Sequence, residues 1–225
     1  MAKPHNEWRH LALLISLLFL FLVTPLAAGL RHGALIMNGV AAVVLATASY
    51  ALIGRKRLFA LAVALSGISI IATWLLLFYQ QLWAALLSHI CVIVLITFFS
   101  VTILGYVLRG KRITVDKIFA AVCVYLLIGY GWTFIYALLD ELQPGSFVAM
   151  SEAAANDYVG RVLQMRYFSF ITLTTVGYGD IVPRSPATRT FAALEAVTGQ
   201  IYLTVLVARL VGLHIVHAVR SSRED

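Results

Sequence analysis

Residues 172–180 read Thr172-Leu173-Thr174-Thr175-Val176-Gly177-Tyr178-Gly179-Asp180 and lie between two long apolar runs. A stretch so placed sits at or near membrane depth. Non-helical backbone is tolerated there only where it is buried in protein or lines a water-filled path. Gly177 and Gly179 stand at alternate positions, and glycine reaches backbone angles closed to other residues. Successive carbonyls can then point toward one axis instead of alternating as they do in a strand. Three hydroxyl residues (Thr172, Thr174 and Thr175) lead into the glycines, which a chance turn between two membrane helices would not require.

The rest of the chain agrees with a membrane setting. Of 225 residues, 61% are hydrophobic and 12% charged, whereas a soluble domain carries about 25% charge. The net charge of +7 is spread along the chain. That distribution fits membrane topology and excludes a nucleic-acid partner. Cys91 and Cys123 both fall inside apolar runs, which argues against a disulfide framework. No nucleophile–base pair or set of metal ligands is evident, so the chain does not read as an enzyme and implies no organic cofactor.

Apolar runs long enough to cross a bilayer, which takes roughly 20 residues each, cover 11–28, 34–53, 58–78, 82–108, 118–139 and 188–219. The basic start, the first run and the small residues near Ala27 also fit a cleaved signal peptide. The length of that run and the span directly after it favour a retained helix. The expected fold is an all-α membrane protein with six transmembrane helices. A short re-entrant helix and the 172–180 loop fall between helices 5 and 6. A polar, acidic loop over 140–160, with Pro144-Gly145 as its turn signal, precedes that helix.

Lysine and arginine set the orientation. Lys3, Arg9, Arg55, Lys56, Arg57, Arg109, Lys111, Arg112, Lys117, Arg220 and Arg223 fall on one side. That side is read as cytoplasmic, with both termini inside a cell membrane and the loop opening outward. Arg31, Asp140, Glu141, Glu152 and Asp157 face the other side, with Arg161, Arg166, Arg184 and Arg189 around the mouth. The acidic loop would raise the local cation concentration modestly at physiological salt.

The motif Thr174-Thr175-Val176-Gly177-Tyr178-Gly179-Asp180 resembles the selectivity filter of the potassium channel superfamily, in which rings of backbone carbonyls replace the ion's hydration shell. The specific resemblance covers residues 115–218. It is of the six-helix, single-pore-loop, prokaryotic-like type. It implies a potassium-selective channel conducting passively, with a peripheral four-helix bundle over 1–112 and a pore domain over 113–225. Only one such loop is present, so the resemblance implies a homotetramer in membrane lipid. Potassium ions would sit on the carbonyls of Thr175, Val176, Gly177 and Tyr178, with Gly179 completing the loop. The pore helix is expected over 163–174, its C-terminal end turned toward the cations. Tyr167 occupies the place of an aromatic donor to Asp180, and Phe168 and Thr172 fall beside it as further bracing residues. Tyr167 and Phe168 are alternatively read as packing residues.

In the last helix, Gly199 reads either as a hinge or as a packing glycine. Family alignment turns Gln200, Leu203, Val207, Val211 and Ile215 to the water path, with Val211 and Ile215 as a hydrophobic gate. Glu195 and Arg209 are charges in an apolar helix and should face protein or water. The expected partners are pore-helix threonines for Glu195 and Asp116 for Arg209. His89 reads as a buried, hydrogen-bonded residue. His214 and His217, three apart, have no carboxylate or thiol nearby to complete a metal site. Residues 82–108 contain no lysine or arginine, so the gating charges of a voltage sensor are missing. With Asp225 soon after the last helix, no covalent nucleotide- or calcium-binding regulatory domain is expected. The alternatives are a subunit of a potassium-uptake transporter and a non-conducting regulatory subunit. Neither the opening stimulus nor any cytoplasmic regulator is legible.

Overall fold

The computed structural model describes residues 8–27, 30, 33–109, 114–148 and 158–221, with side chains as far as Arg209. Six helices are long and apolar enough to cross a membrane: α1 (Arg9–Ala27), α2 (Gly33–Ala51), α3 (Lys56–Tyr79), α4 (Leu82–Leu108), α5 (Val115–Leu142) and α7 (Pro186–Ser221), the last over Pro186–Arg209. Between α5 and α7 stands the shorter α6 (Tyr158–Leu173). The protein is thus an all-α membrane protein with the expected helix order.

Local chemistry explains several helix ends. Thr114 precedes α5, and its hydroxyl accepts from the Lys117 amide, while Asp116 lies in the first turn where the helix dipole favours a carboxylate. Ser185 plays the same part for α7, accepting from the Thr188 amide at 3.2 Å ahead of Pro186, whose missing N–H costs nothing at a first helical position. Pro25 lies inside α1 and cannot donate to the carbonyl four residues back, that of Phe21.

One core joins the peripheral helices to α5. Leu13 and Leu17 of α1, Leu95, Phe99 and Ile103 of α4, and Ala120, Val124 and Leu127 of α5 pack together. A second cluster lies beside the 172–180 loop, built from Tyr136, Phe147, Met165, Phe168 and Ile181. Two short strands, β1 (Phe147–Val148) and β2 (Val182–Pro183), pair antiparallel with Phe147 opposite Pro183. They tie the segment after α5 to the segment after the 172–180 loop. Large apolar side chains such as Phe78 and Val101 point outward, a cost in water that vanishes against lipid.

The helix before the loop begins five residues earlier than the pore helix expected from sequence. Val159, Gly160 and Val162 are buried, and Arg161 pairs with Glu141 at the end of α5 at 3.1 Å. That ion pair and that burial extend α6 into what reads as polar loop.

Candidate functional site

α6 hands the chain to the signature loop through its last carbonyls. The Thr174 amide donates to Phe170 O at 3.1 Å, and the Thr175 amide to Thr172 O at 2.9 Å. The amides of Val176 and Gly177 then converge on one acceptor, Ile171 O, at 2.9 and 3.1 Å. Beyond this point every second residue is left-handed: Thr175 has φ 59°, Gly177 52° and Gly179 79°. The alternation breaks the up-and-down carbonyl pattern of a strand. For a β-branched threonine this backbone is strained, and strain of this kind clusters at ligand clamps. The glycine spacing announces two of the three positions; nothing in the sequence announces Thr175.

Beside the loop, the Tyr167 hydroxyl donates to Asp180 Oδ2 at 2.6 Å, and Asp180 Oδ1 accepts from the Ile181 amide at 3.1 Å. The carboxylate holding its proton pushes the Tyr167 phenol up to about 12. The same bond holds the Asp180 carboxyl below its ordinary value. Phe168 turns the other way. It is buried edge-on against Tyr136 and Phe147, with ring centroids 5.0 and 5.2 Å away, in the cluster that also contains Ile181. Thr172 is half-buried and meets the loop through its carbonyl.

Behind the loop sits Glu195 of α7, fully buried. Its two oxygens accept from Ser169 of α6 at 2.5 Å and from Tyr136 of α5 at 2.6 Å. The expected threonine partners are thus replaced by the pore-helix serine, because Ser169 is the hydroxyl that faces α5 and α7. Four residues further along α7, a Cβ on Gly199 would lie 2.4 Å from Leu173 O. Gly199 therefore lets α7 approach the end of α6 closely, which answers to the packing reading. Gln200, Leu203 and Val207 are exposed on α7 in the single chain. For Val211 and Ile215, and for His214 and His217, the side chains lie outside the described residues.

Three further expectations need correction. Arg209 donates to Leu108 O at 2.6 Å instead of meeting Asp116. Asp116 is engaged by the His10 amide and ring Nδ1 (3.2 and 2.8 Å) and by the Tyr106 hydroxyl (2.8 Å). These bonds tie α1, α4 and α5 together at the basic end. Arg166 does not lie at the mouth; it is buried against α1, donating to Thr24 Oγ1, Leu20 O and Phe21 O, with Phe21's ring 4.8 Å away. The carbonyl freed by Pro25 is one of those it fills. His89 is buried as expected, but among the described residues its ring nitrogens have no hydrogen-bond partner; the ring lies against Phe134 and Tyr158. Among the described residues no group of three or more metal-ligating side chains occurs.

Comparison with known proteins follows the same half of the molecule. A family model described as "Ion channel" matches residues 133–213. Protein LctB of Bacillus caldotenax is 32% identical over 100 residues, 44% of this chain and 74% of LctB. Two pore potassium channel a of Oryza sativa subsp. japonica is 34% identical over 77 residues, 34% of this chain and 21% of that protein. The inward rectifier potassium channel Kirbac3.1 of Paramagnetospirillum magnetotacticum is 30% identical over 73 residues, 32% of this chain and 25% of that one. No solved structure matches. The match is to an ion-channel family and not to an enzyme family, and together with the signature loop it places this multi-pass membrane chain in the potassium channel superfamily.

Proposed function

We propose that the protein is a potassium-selective channel that conducts passively as a homotetramer, with Thr175, Val176, Gly177, Tyr178 and Gly179 as its selectivity filter. The observation that carries this reading is the left-handed backbone at Thr175, Gly177 and Gly179, in a loop anchored on Ile171 O. Four such loops around an axis would supply carbonyl rings for dehydrated potassium ions, which move by knock-on between adjacent sites. Tyr167 and Asp180 support the loop from its side, Thr172 through its carbonyl, and Phe168 indirectly, through the cluster that contains Ile181. The tetramer is supported by how little of the pore surface one chain covers. The α7 window is only 11% buried, the least of the six spans, and Tyr178 is 73% exposed. Neighbouring copies would cover both.

In this reading residues 113–225 form the pore domain and residues 1–112 a peripheral bundle. Without a lysine or arginine in α4, that bundle gives no strong voltage dependence. The distribution of basic residues supports an orientation with both termini in the cytoplasm and the filter at the outer side of the cell membrane. Gln200, Leu203, Val207, Val211 and Ile215 line the inner path.

Cation flux from liposomes holding the purified protein tests the proposal, with potassium, rubidium and sodium gradients compared. Potassium and rubidium should move and sodium should not, and Gly177→Ala should abolish the difference, since φ 52° strains any side chain there. Flux of all three ions through the unaltered protein would defeat selectivity. Absence of flux under every condition would favour a regulatory or transporter subunit.

A further inference from the structure

A cavity of about 420 Å³ lies among α1 to α6, well away from the signature loop. That volume falls within the range of about 300–1,000 Å³ in which proteins hold small-molecule ligands. Its walls are almost wholly apolar, including Leu45 of α2, Trp74 of α3, Phe99 of α4 and Leu127 of α5. Small residues on α2, among them Ala41, leave the space open.

One charged residue lines it, Arg166. Arg166 is 4% exposed, and its partners are all neutral: Thr24 Oγ1, Leu20 O and Phe21 O, with the Tyr130 hydroxyl also beside it. Among the described residues no carboxylate pairs with it. These neutral partners do not exhaust the five N–H of the group, and none of them compensates its charge. Buried charges are normally paired, because an isolated one is costly in an apolar setting. Nothing else in the cavity wall supplies negative charge, so the site is complementary to an anion with an apolar body. Depth narrows the choice. The α1 residues that Arg166 touches lie three to seven positions before Ala27, about 5–10 Å below the helix end at the usual rise. A bulky phosphate headgroup would have to leave the interface to reach it, whereas a carboxylate is a small head on a single chain.

We infer that this cavity binds a single-chain amphiphilic anion, a fatty-acid carboxylate on Arg166 with its tail among the α2, α4 and α5 side chains. Trp74 in the wall provides a reporter. The full-length protein in neutral detergent is titrated with dibrominated stearate, whose bromines quench nearby indoles, and Trp74→Phe gives the contribution of the other tryptophans. Quenching should saturate, weaken by at least about tenfold in Arg166→Gln, and disappear in Ala41→Phe, which fills the cavity with Arg166 untouched. The methyl ester of the same acid, which lacks the charge, should quench far less. Equal quenching by acid and ester would overturn the inference and leave a cleft filled by any apolar chain. Stronger, Arg166-dependent quenching by brominated phosphatidylglycerol than by stearate would overturn the single-chain assignment in favour of a lipid phosphate. If Arg166→Gln does not fold, the acid–ester comparison and Ala41→Phe still decide.

Discussion

Where α5, α6 and α7 meet, side chains bond across helices to a buried carboxylate and to backbone: Ser169 and Tyr136 converge on Glu195, while Tyr202 donates to Ala121 O at 2.6 Å. In the peripheral helices the hydroxyls turn back on their own backbone, as Ser16 does on Leu13 O, Thr47 on Val44 O and Thr73 on Ser69 O, and the contacts they make across helices join neutral groups, Ser16 with Thr47 at 2.8 Å and Thr73 with Ser88 at 3.2 Å. Contacts between peripheral helices are chiefly apolar, and charged anchors fasten the two ends of α1 to the pore half, His10 on Asp116 and Thr24 with its neighbours on Arg166, with the Tyr130 hydroxyl donating to Leu17 O between them. Directional bonds fix the distances around the signature loop. Apolar packing lets the outer helices face lipid without a fixed geometry. The difference implies that the pore half should lose function through single polar groups, and that the periphery should tolerate most changes away from its bonds to the pore half.

The largest break in that contrast is at Glu195. Glu195→Ala leaves the Tyr136 hydroxyl buried without its acceptor and Ser169 with Gly129 O alone, at 2.8 Å, a loss of about 3 kcal/mol. Its thermal melt in detergent should fall well below that of Glu195→Gln, which keeps one oxygen to accept from Ser169. Equal melts for both variants and the unaltered protein would remove Glu195 from the framework. Next in size is Gly199→Ala, whose methyl would sit 2.4 Å from Leu173 O. Overpacking of this kind costs about 1–3 kcal/mol, and here the displaced atom lies just before the loop. Potassium-over-sodium selectivity should drop with little change at Gly39, where an added Cβ meets nothing within 4 Å. A Gly199→Ala protein as selective as the parent would mean that α7 can move away freely.

The two kinds of region also differed in how far they could be read in advance. The spans were legible because a bilayer imposes length and apolarity on each helix by itself. The loop was legible because its glycines sit in a motif of fixed spacing. What escaped were bonds between residues far apart in the chain. His10 lies 106 positions from Asp116, and Arg166 lies 142 from Thr24. No periodicity encodes such pairs; packing of finished helices decides them. A signal did exist for Arg166, since Pro25 inside an apolar run frees a carbonyl that some donor must satisfy. Ser169 was one of three pore-helix hydroxyls able to meet Glu195, and only the helix rotation chose among them.

At the basic end, His10→Ala should sharpen the contrast from the peripheral side. It removes the ring's bond to Asp116 and its stacking on Tyr106, where the centroids are 4.8 Å apart. The expected cost is about 1–2 kcal/mol, read as faster proteolysis of α1 while potassium selectivity stays unchanged. Loss of selectivity in this variant would show that the two halves are not separable in this way.

The smallest effect belongs to the exposed clasp between Tyr167 and Asp180, and its pH dependence has a definite sign. The bond depresses the Asp180 carboxyl and raises the Tyr167 phenol to about 12. A depressed carboxylate contributes fully above the ordinary aspartate value, about 3.9, and its contribution fades only as the pH drops through the lowered value. The phenol loses its proton only near the alkaline extreme. Between pH 5 and pH 8 (roughly one unit or more above the ordinary aspartate value) the clasp should therefore be intact, and flux should show no titration arising from it. Tyr167→Phe keeps the ring and removes the donor, so it should leave initial selectivity in place and shorten the time for which flux is sustained. Solvent screens the exposed pair, which is why the effect is kinetic and small. A wild-type flux that falls between pH 8 and pH 5, with the fall abolished by Tyr167→Phe, would mean that Asp180 titrates in that window and that the clasp is not held as the geometry indicates.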